Sequence, residues 1–332
     1  MTRMTRRNLL KVTGISIGVA LGGRPAATPA LAQVSTRLSI ATGGTGGVYY
    51  PLGGGIAALI SKYIRGVEAT AEATAASVDN LKLLHVDKVA LALTGADIAW
   101  EAHSGALKGL REKVAVRALA AIFSNYLHVV TLESAGLRTV ADFKGKRLST
   151  GAPGSGTEVK ALRVLEAYGI APKDLKSQDR LSVVESVGAL KDQKIDGFFW
   201  NGALPTAAIL DLAVTPGVKI RLLAHADAAA KMREKYGAFY FAGSIPKDTY
   251  KGVDADVVVA AETHLLVAHE RMNEALAYQI TKLLLEHTPE LVAVHASAKE
   301  LTLKGAVSGA AVPFHPGAVR YYRERGMTVA GG

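Results

Sequence analysis

The chain has 332 residues, of which 49% are hydrophobic and none is cysteine, and it carries a formal net charge of +10. The lack of cysteine excludes disulfides, thiolate metal sites, a cysteine nucleophile and a lipid-anchoring lipobox. Basic residues are scattered and aromatic residues make up only 6% of the chain, so no nucleic-acid partner is indicated. The length favours two lobes over a single core.

The first 32 residues read as a targeting segment. The run TRRNLLK at residues 5–11 is typical of a twin-arginine signal, and residues 12–23 are too short a stretch to span a membrane as about 20 apolar residues would. Cleavage after Ala32 leaves 300 residues from Gln33, with a charge near +5 because the leader holds five basic residues and no acid. We therefore expect a soluble periplasmic protein whose mild positive field suits an anionic solute.

The first part of the predicted mature chain alternates strand-like and helical patterns. Strands are predicted at residues 37–42, 68–73 and 89–94, and helices are predicted to begin near Tyr49, Val78 and Asp97. Alternation of this kind indicates βα units with largely parallel strands.

A glycine-rich loop, GGTGG at residues 43–47, joins the first predicted strand to the first helix. Amides at Thr45 and Gly46 can approach an anion closely, and the helix beginning near Tyr49 points its positive end at the same place. The loop lacks the Gly-Lys-Ser/Thr of a P-loop and the third glycine of a dinucleotide fingerprint. Thr45, Gly46 and Tyr49 are therefore candidate ligand contacts, while a tight turn and a core tyrosine are the structural alternatives.

A second polar pair, Ser77 and Asn80, has the spacing of an N-cap and the third residue of a helix. Capping alone would explain Ser77. The amide of Asn80 offers donors and an acceptor to a polar solute, so both residues are candidate contacts.

A second set of elements is predicted from about Leu127. Strands are expected at residues 147–150, 181–184 and 197–200, one helix from Thr157 to Gly169, and another opened by Pro205.

The loops of this second set supply further polar candidates, which are Ser155, Gly156, Thr157, Asn201 and Gly202. Small polar residues that open a helix serve either as a cap or as a ligand site. Glu158 is expected to be an acid of the first helical turn, stabilised by the helix dipole.

The last third returns to helical patterns, with Leu276, Ile280 and Leu284 on one face. We therefore predict lobe 1 at residues 33–125, lobe 2 at 126–222, and a return to lobe 1 over 223–332. The two crossings are expected near residues 123–128 and 222–225.

Enzyme chemistry finds little support in the sequence. Ser155 misses the GxSxG pattern of a hydrolase nucleophile, and the nine histidines are dispersed without metal-ligand spacing. His264 and His269, five residues apart, would fall on different faces of a helix, and His315 is interpreted as part of a structural turn. We predict no catalytic residue, no metal and no cofactor.

Several motifs together resemble the TAXI family, the solute receptors of tripartite ATP-independent periplasmic (TRAP) transporters. They are the glycine-rich segment at residues 38–60, SVDNL at 77–81, GAPGSGTE at 151–158, GALPTAA at 202–208 and HPGAVRYY at 315–322. The chain departs from the family at Ala75-Ala76, where glycines are usual, and at Gly95-Ala96, where longer polar residues are common.

The resemblance implies an α/β, bilobed type II periplasmic-binding fold with two mixed or parallel sheets and a hinge. It implies a receptor, expected to be a monomer, that closes on glutamate, glutamine, 2-oxoglutarate or a related dicarboxylate and delivers it to TRAP permease subunits. Residues 155–157 would then form the jaw opposite Thr45 and Ser77. An exported α/β enzyme and a periplasmic sensory protein that presents its ligand to a signalling partner remain the alternatives.

Overall fold

A computed structural model describes residues 36–110 and 112–329, so the predicted leader and its cleavage site lie outside the described residues. The strands of this described part are β1 (Thr36–Ala41), β2 (Val67–Glu72), β3 (Leu91–Gly95), β4 (Val116–Leu132), β5 (Arg147–Ser149), β6 (Ser177–Asp179), β7 (Gly197–Gly202), β8 (Ile220–Leu222), β9 (Tyr240–Ile245) and β10 (Val257–His269).

The helices are α1 (Tyr49–Tyr63), α2 (Ser77–His85), α3 (Ala96–Ser104), α4 (Gly156–Ala167), α5 (Val183–Lys191), α6 (Ala207–Val214), α7 (Ala226–Tyr236), α8 (Glu274–Glu286), α9 (Thr288–Val294), α10 (Leu303–Ala306) and α11 (Pro316–Glu324). Within the described part of the chain, no helix combines the length and hydropathy that a membrane crossing requires.

The strands form one curled, mixed sheet in the order β2-β1-β3-β10-β4-β7-β5-β6, with β8 paired to β4 and β9 paired to β10. The outer strands pair in parallel, β1 with β2 and β3, and β5 with β6 and β7. The two long central strands, β4 and β10, are antiparallel to each other and to their other neighbours. The predicted α/β fold is confirmed, but the two expected sheets are joined into one by these long strands.

Three groups of buried apolar side chains divide the described residues into two halves. One group gathers β1–β3, the beginning of β4, the end of β10 and the C-terminal helices, and we call this the first half. The other two gather residues 127–260 around β5–β9, and we call this the second half. Both long strands pass between the halves, β4 between Phe123 and Leu127 and β10 between Ala260 and Leu265.

Packing differs from the sequence prediction in the last third of the chain. α7 and β9 pack with the second half, which argues for a return to the first half within β10 and not near residue 223. The sequence analysis missed β9 and β10, and for β10 the reason is that its Ala- and Val-rich run has no clear period. The division into lobes stays a prediction.

Two local predictions need correction or refinement. The strand predicted at residues 181–184 is wrong, since Ser182 caps α5 and the nearby strand is β6. His315 does have the structural role expected of it, because it caps α11, where its Nδ1 accepts a hydrogen bond from the Gly317 amide at 3.2 Å.

Candidate functional site

A cavity of about 310 Å³ lies between the two halves. It is lined by residues 43–49, 74–77, 125, 151–152, 155–157, 181–185, 200–202 and 264. Most of these segments follow the carboxyl ends of β1, β2, β5, β6 and β7, the position where α/β sheets hold their ligands. The cavity is therefore the candidate functional site.

Nine of the ten residues predicted as ligand contacts from the sequence line this cavity. They are Thr45, Gly46, Tyr49, Ser77, Ser155, Gly156, Thr157, Asn201 and Gly202. Loops that are far apart in the chain thus meet at one place, while their contact with a solute stays a prediction.

Asn80 does not line the cavity, and its predicted ligand role is not supported by its contacts. Its Nδ2 donates to the carbonyl oxygens of Thr42 at 2.7 Å and Leu93 at 2.8 Å, and its Oδ1 accepts from Thr74 Oγ1 at 2.6 Å. These bonds tie the ends of β1 and β3 to α2. The amide is occupied by the protein itself, so Asn80 is a structural residue.

Four of the described helices begin at the cavity wall: α1 and α2 from the first half, and α4 and α5 from the second. Ser155 caps α4 by accepting from the Glu158 amide at 3.1 Å, and Ser182 caps α5. Within the described residues, the N-cap residues of α1 and α2, Val48 and Ala76, make no side-chain cap hydrogen bond. Because all four helices begin at the cavity wall, their positive ends face the cavity, and this favours an anionic group there.

Ser77 is not the cap that its spacing suggested. It is the first residue of α2, and its Oγ accepts from the Gly95 amide at 3.3 Å and lies 3.4 Å from the Tyr49 hydroxyl. The preceding Ala76 has φ 92° and ψ −147°, a conformation that is strained for any residue other than glycine.

His264, on β10, forms part of the deep wall and is only 2% exposed. One ring nitrogen contacts the Tyr49 hydroxyl, and the other lies 2.8 Å from Glu262 Oε1 and 3.2 Å from Asn201 Nδ2. The ring stacks on Phe123 with centroids 5.7 Å apart. Burial raises the pKa of Tyr49 well above its usual value, and the charge of Glu262 adds to the effect, so the hydroxyl keeps its proton.

The sequence analysis missed His264 because it measured the spacing to His269 on a helix. Both residues lie on β10, where neighbouring side chains alternate between the two faces of the sheet. The available signal was the polar group Glu262-Thr263-His264 inside an otherwise apolar run.

A cluster of buried charges lies directly behind the deep wall. Lys160 Nζ is 2.9 Å from Asp97 Oδ1 and 2.7 Å from Glu262 Oε1. Arg163 Nη1 is 2.9 Å from Asp97 Oδ2, and Arg163 Nη2 also pairs with Glu101. We call these five residues the charge cluster. Its acids lie on α3 and β10 and its cations on α4, so it joins the two halves.

Electrostatics keeps Asp97 and Lys160 of the cluster ionised. Burial alone would raise the pKa of Asp97, but the charges of Lys160 and Arg163 outweigh it and hold that pKa well below its usual value. Burial would likewise lower the pKa of Lys160, yet the charges of Asp97 and Glu262 raise it. Neither Asp97 nor Glu158 lines the cavity, and Glu158 pairs instead with Arg180.

The two halves touch on both sides of the cavity. The Asp79 amide of α2 donates to the Gly154 carbonyl oxygen at 3.2 Å. A Cβ atom built at Gly156 would lie 2.9 Å from Ser77 Oγ, and one built at Gly46 would lie 2.4 Å from Val184. Glycine is therefore required where the loops of opposite halves approach each other.

A second cavity, of about 780 Å³, lies on the other side of α4. Its wall mixes charges of both signs, including Lys82, Lys108, Glu158 and Glu166. No group of three or more potential metal-ligating side chains occurs within residues 36–110 and 112–329.

The chain matches the NMT1-like family over residues 40–326 and belongs to that family. A solved structure of a protein from Bordetella bronchiseptica RB50 is 18% identical, covers 87% of this chain and 82% of its own, and has a TM-score of 0.51. The periplasmic aliphatic sulphonate binding protein SsuA from Escherichia coli is 15% identical, with 87% and 83% coverage and a TM-score of 0.47.

A third structure, the alkanesulfonate-binding protein SsuA from Xanthomonas axonopodis pv. citri bound to MOPS, is 17% identical, with 87% and 90% coverage and a TM-score of 0.46. At such identities the likeness concerns the fold alone. The chain is thus an NMT1-like family member with a curled, mixed sheet flanked by helices.

Proposed function

We propose that the protein is a periplasmic receptor that captures a small anionic solute in the cavity between its halves. The observation that carries this proposal is the convergence of four helix N-termini, from both halves, on one cavity. Backbone amides and the positive ends of helices bind anions without a fixed cation. A solute that contacts both halves would favour the closed arrangement of the halves. The shift would be as large as the difference between the solute's affinities for the closed and the open arrangement.

The proposed function involves binding alone and no catalytic step. The polar groups around the cavity hydrogen-bond one another, as His264 does with Glu262, and capture with closure involves no bond making or breaking. The TAXI resemblance adds the finer proposal that the cargo is glutamate, glutamine, 2-oxoglutarate or a related dicarboxylate and that a TRAP permease receives it.

The receptor proposal is tested by a thermal-shift screen of the chain from Gln33 against carboxylates and amino acids, followed by calorimetric titration. A solute that binds only the folded state, present at about 100 times its Kd, stabilises that state by about 2.7 kcal/mol. We expect at least one small anion to raise Tm. A screen in which no anion does so would contradict the proposal.

A matched pair of threonine variants locates the binding. Thr157 is 4% exposed in the cavity wall, whereas Thr328 is exposed near the C-terminus. Thr157→Val should weaken binding by roughly 1 to 3 kcal/mol, the usual effect of stranding a buried polar partner, and Thr328→Val should leave it unchanged. Equal affinities for the two variants would place the solute elsewhere.

The permease partner is tested separately. Labelled solute should enter vesicles that contain a TRAP permease only when the purified receptor is added. Binding without any such transport would favour the sensory alternative.

A further inference from the structure

We infer that the preferred solute carries one negative charge at one end and an apolar body at the other, as an aliphatic monocarboxylate does. This inference rests on the proposed anion receptor, and it replaces the dicarboxylate cargo suggested by the TAXI resemblance with a monoanion. It follows from the way that charge and polarity are distributed around the cavity.

The deep wall suits a polar head group. His264, Asn125 and Asn201 are 2%, 3% and 8% exposed and all line the cavity. Among the described residues, the Oδ1 atom of Asn125 is buried without a hydrogen-bond partner, but an amide oxygen only accepts hydrogen bonds, so the negative charge itself is left to the helix ends. The N-termini of α1 and α2, which lack side-chain caps in the described part of the chain, open onto the same cavity and add a positive potential for one anionic group.

Among the residues that the structure describes, a second negative charge meets neither a cation nor an uncapped helix end, because Ser155 and Ser182 already cap α4 and α5. The described residues that line the cavity include neither lysine nor arginine. Lys160 lies just behind Gly156, but it is already held between Asp97 and Glu262 at 2.9 and 2.7 Å. A buried carboxylate without a partner is strongly unfavourable, so a dicarboxylate would bury one of its charges against no compensating charge.

The outer wall is apolar and carries an acid. Leu181, Val183, Val184 and Trp200 line the cavity where the second half faces the glycine-rich loop. Glu185 lies among them, and its hydrogen bonds with Ser182 lower its pKa, so it is ionised at neutral pH. This wall favours the burial of an aliphatic chain and repels a second carboxylate.

The inference is tested with pairs of solutes that differ at one end. Pentanoate is compared with glutarate, and 4-methyl-2-oxopentanoate with 2-oxoglutarate, by calorimetric titration of the chain from Gln33. We expect the monoanion of at least one pair to bind at least tenfold more tightly than its dicarboxylate partner. Pentanamide, which matches pentanoate in shape but is neutral, should bind at least tenfold more weakly than pentanoate.

These outcomes distinguish the preference for a monoanion from the binding of an anion as such. Dicarboxylates that bind as tightly as the monoanions would overturn this inference and leave the anion receptor standing. Pentanamide binding as tightly as pentanoate, or binding of none of these solutes, would overturn both the inference and the proposed anionic solute.

A matched pair of valine variants tests the apolar end. Val184 lines the cavity and is 54% exposed, while Val214 at the end of α6 is 57% exposed and lies outside the lining. Both positions tolerate a long polar side chain, so folding should survive. Val184→Lys should shift the ratio of pentanoate to glutarate affinity at least tenfold toward glutarate, and Val214→Lys should leave it unchanged. An unchanged ratio in Val184→Lys would overturn the assignment of this wall.

Discussion

The cavity and the charge cluster lie side by side between the same two halves, but they differ in whether their buried polar groups have partners. In the cluster each charge faces an opposite charge across the halves, as Lys160 does with Asp97 and Glu262. In the cavity, as far as the described residues show, two helix ends remain uncapped and Asn125 keeps an unpaired oxygen. The cluster therefore balances its charges within the protein, whereas the cavity leaves two positive helix ends that an anionic solute can meet.

The largest expected effect comes from breaking the cluster. Lys160→Met leaves Asp97 and Glu262 buried with too little positive charge, and removing one partner of a buried ion pair typically costs about 3–5 kcal/mol. Lys194→Met removes a cation that is 72% exposed and paired with Asp192, so its effect should stay within about 0.5 kcal/mol. Urea unfolding of both variants measures the difference. Equal stabilities would mean that the cluster does not join the halves.

Mild acid should weaken the second half, while Asp97 of the cluster stays ionised. Burial lowers the pKa of His128 and of His225 to about 4. A histidine whose folded pKa lies below its unfolded value, about 6.5, stabilises the fold fully above about pH 6.5 and loses that contribution as pH falls toward the folded pKa. Each should therefore cost about 2 kcal/mol between about pH 7 and pH 5. Asp97, with its lowered pKa, remains ionised throughout this range.

Urea unfolding at about pH 7 and pH 5 checks this expectation. His128→Gln should reduce the loss of stability between the two pH values by about 2 kcal/mol, the contribution of this one histidine. A variant that loses as much stability as the wild type over this range would contradict the assignment.

Asn80 has a structural side-chain amide, in contrast to Asn125 and Asn201, which line the cavity. Asn80→Ala removes the hydrogen bonds to the carbonyl oxygens of Thr42 and Leu93 and the one from Thr74 Oγ1, and we expect a loss of about 2 kcal/mol in the free energy of unfolding. Gln178 on β6 provides the control, because its side-chain amide donates to a threonine hydroxyl at 2.9 Å instead of to two backbone carbonyls, so Gln178→Ala should cost less. If Asn80→Ala weakened solute binding without loss of stability, Asn80 would belong to the site.

The smallest expected effect is a gain in stability. Ala76 has φ 92° beside the cavity, and a strained position of this kind costs on the order of 1 kcal/mol or more. Ala76→Gly should raise the free energy of unfolding by about 1 kcal/mol, since the strain that it removes exceeds the added entropy of the unfolded chain. Ala75→Gly, one residue earlier, serves as control and should bring no gain. A fall in stability for Ala76→Gly would show that the backbone at this position is relaxed.

The first half could be predicted well from the sequence, because β1, α1, β2, α2, β3 and α3 alternate and each has a clear period. Nine cavity residues were also located, since glycine-rich and small polar loops mark helix starts. The sequence could not show that Asn80 turns inward or that His264 faces the cavity. Those facts depend on the pairing of β10 with β3 and β4, which joins residues as distant in the chain as Leu91 and Ala268.

The most direct test of the central claim is a crystal structure of the chain from Gln33 with the tightest-binding anion of the solute panel. We expect the anionic group to lie against the N-termini of α1 and α2, near Tyr49 and Ser77, with the rest of the solute toward Val183. An anion found instead in the second cavity, beside Lys82 and Lys108, would contradict it.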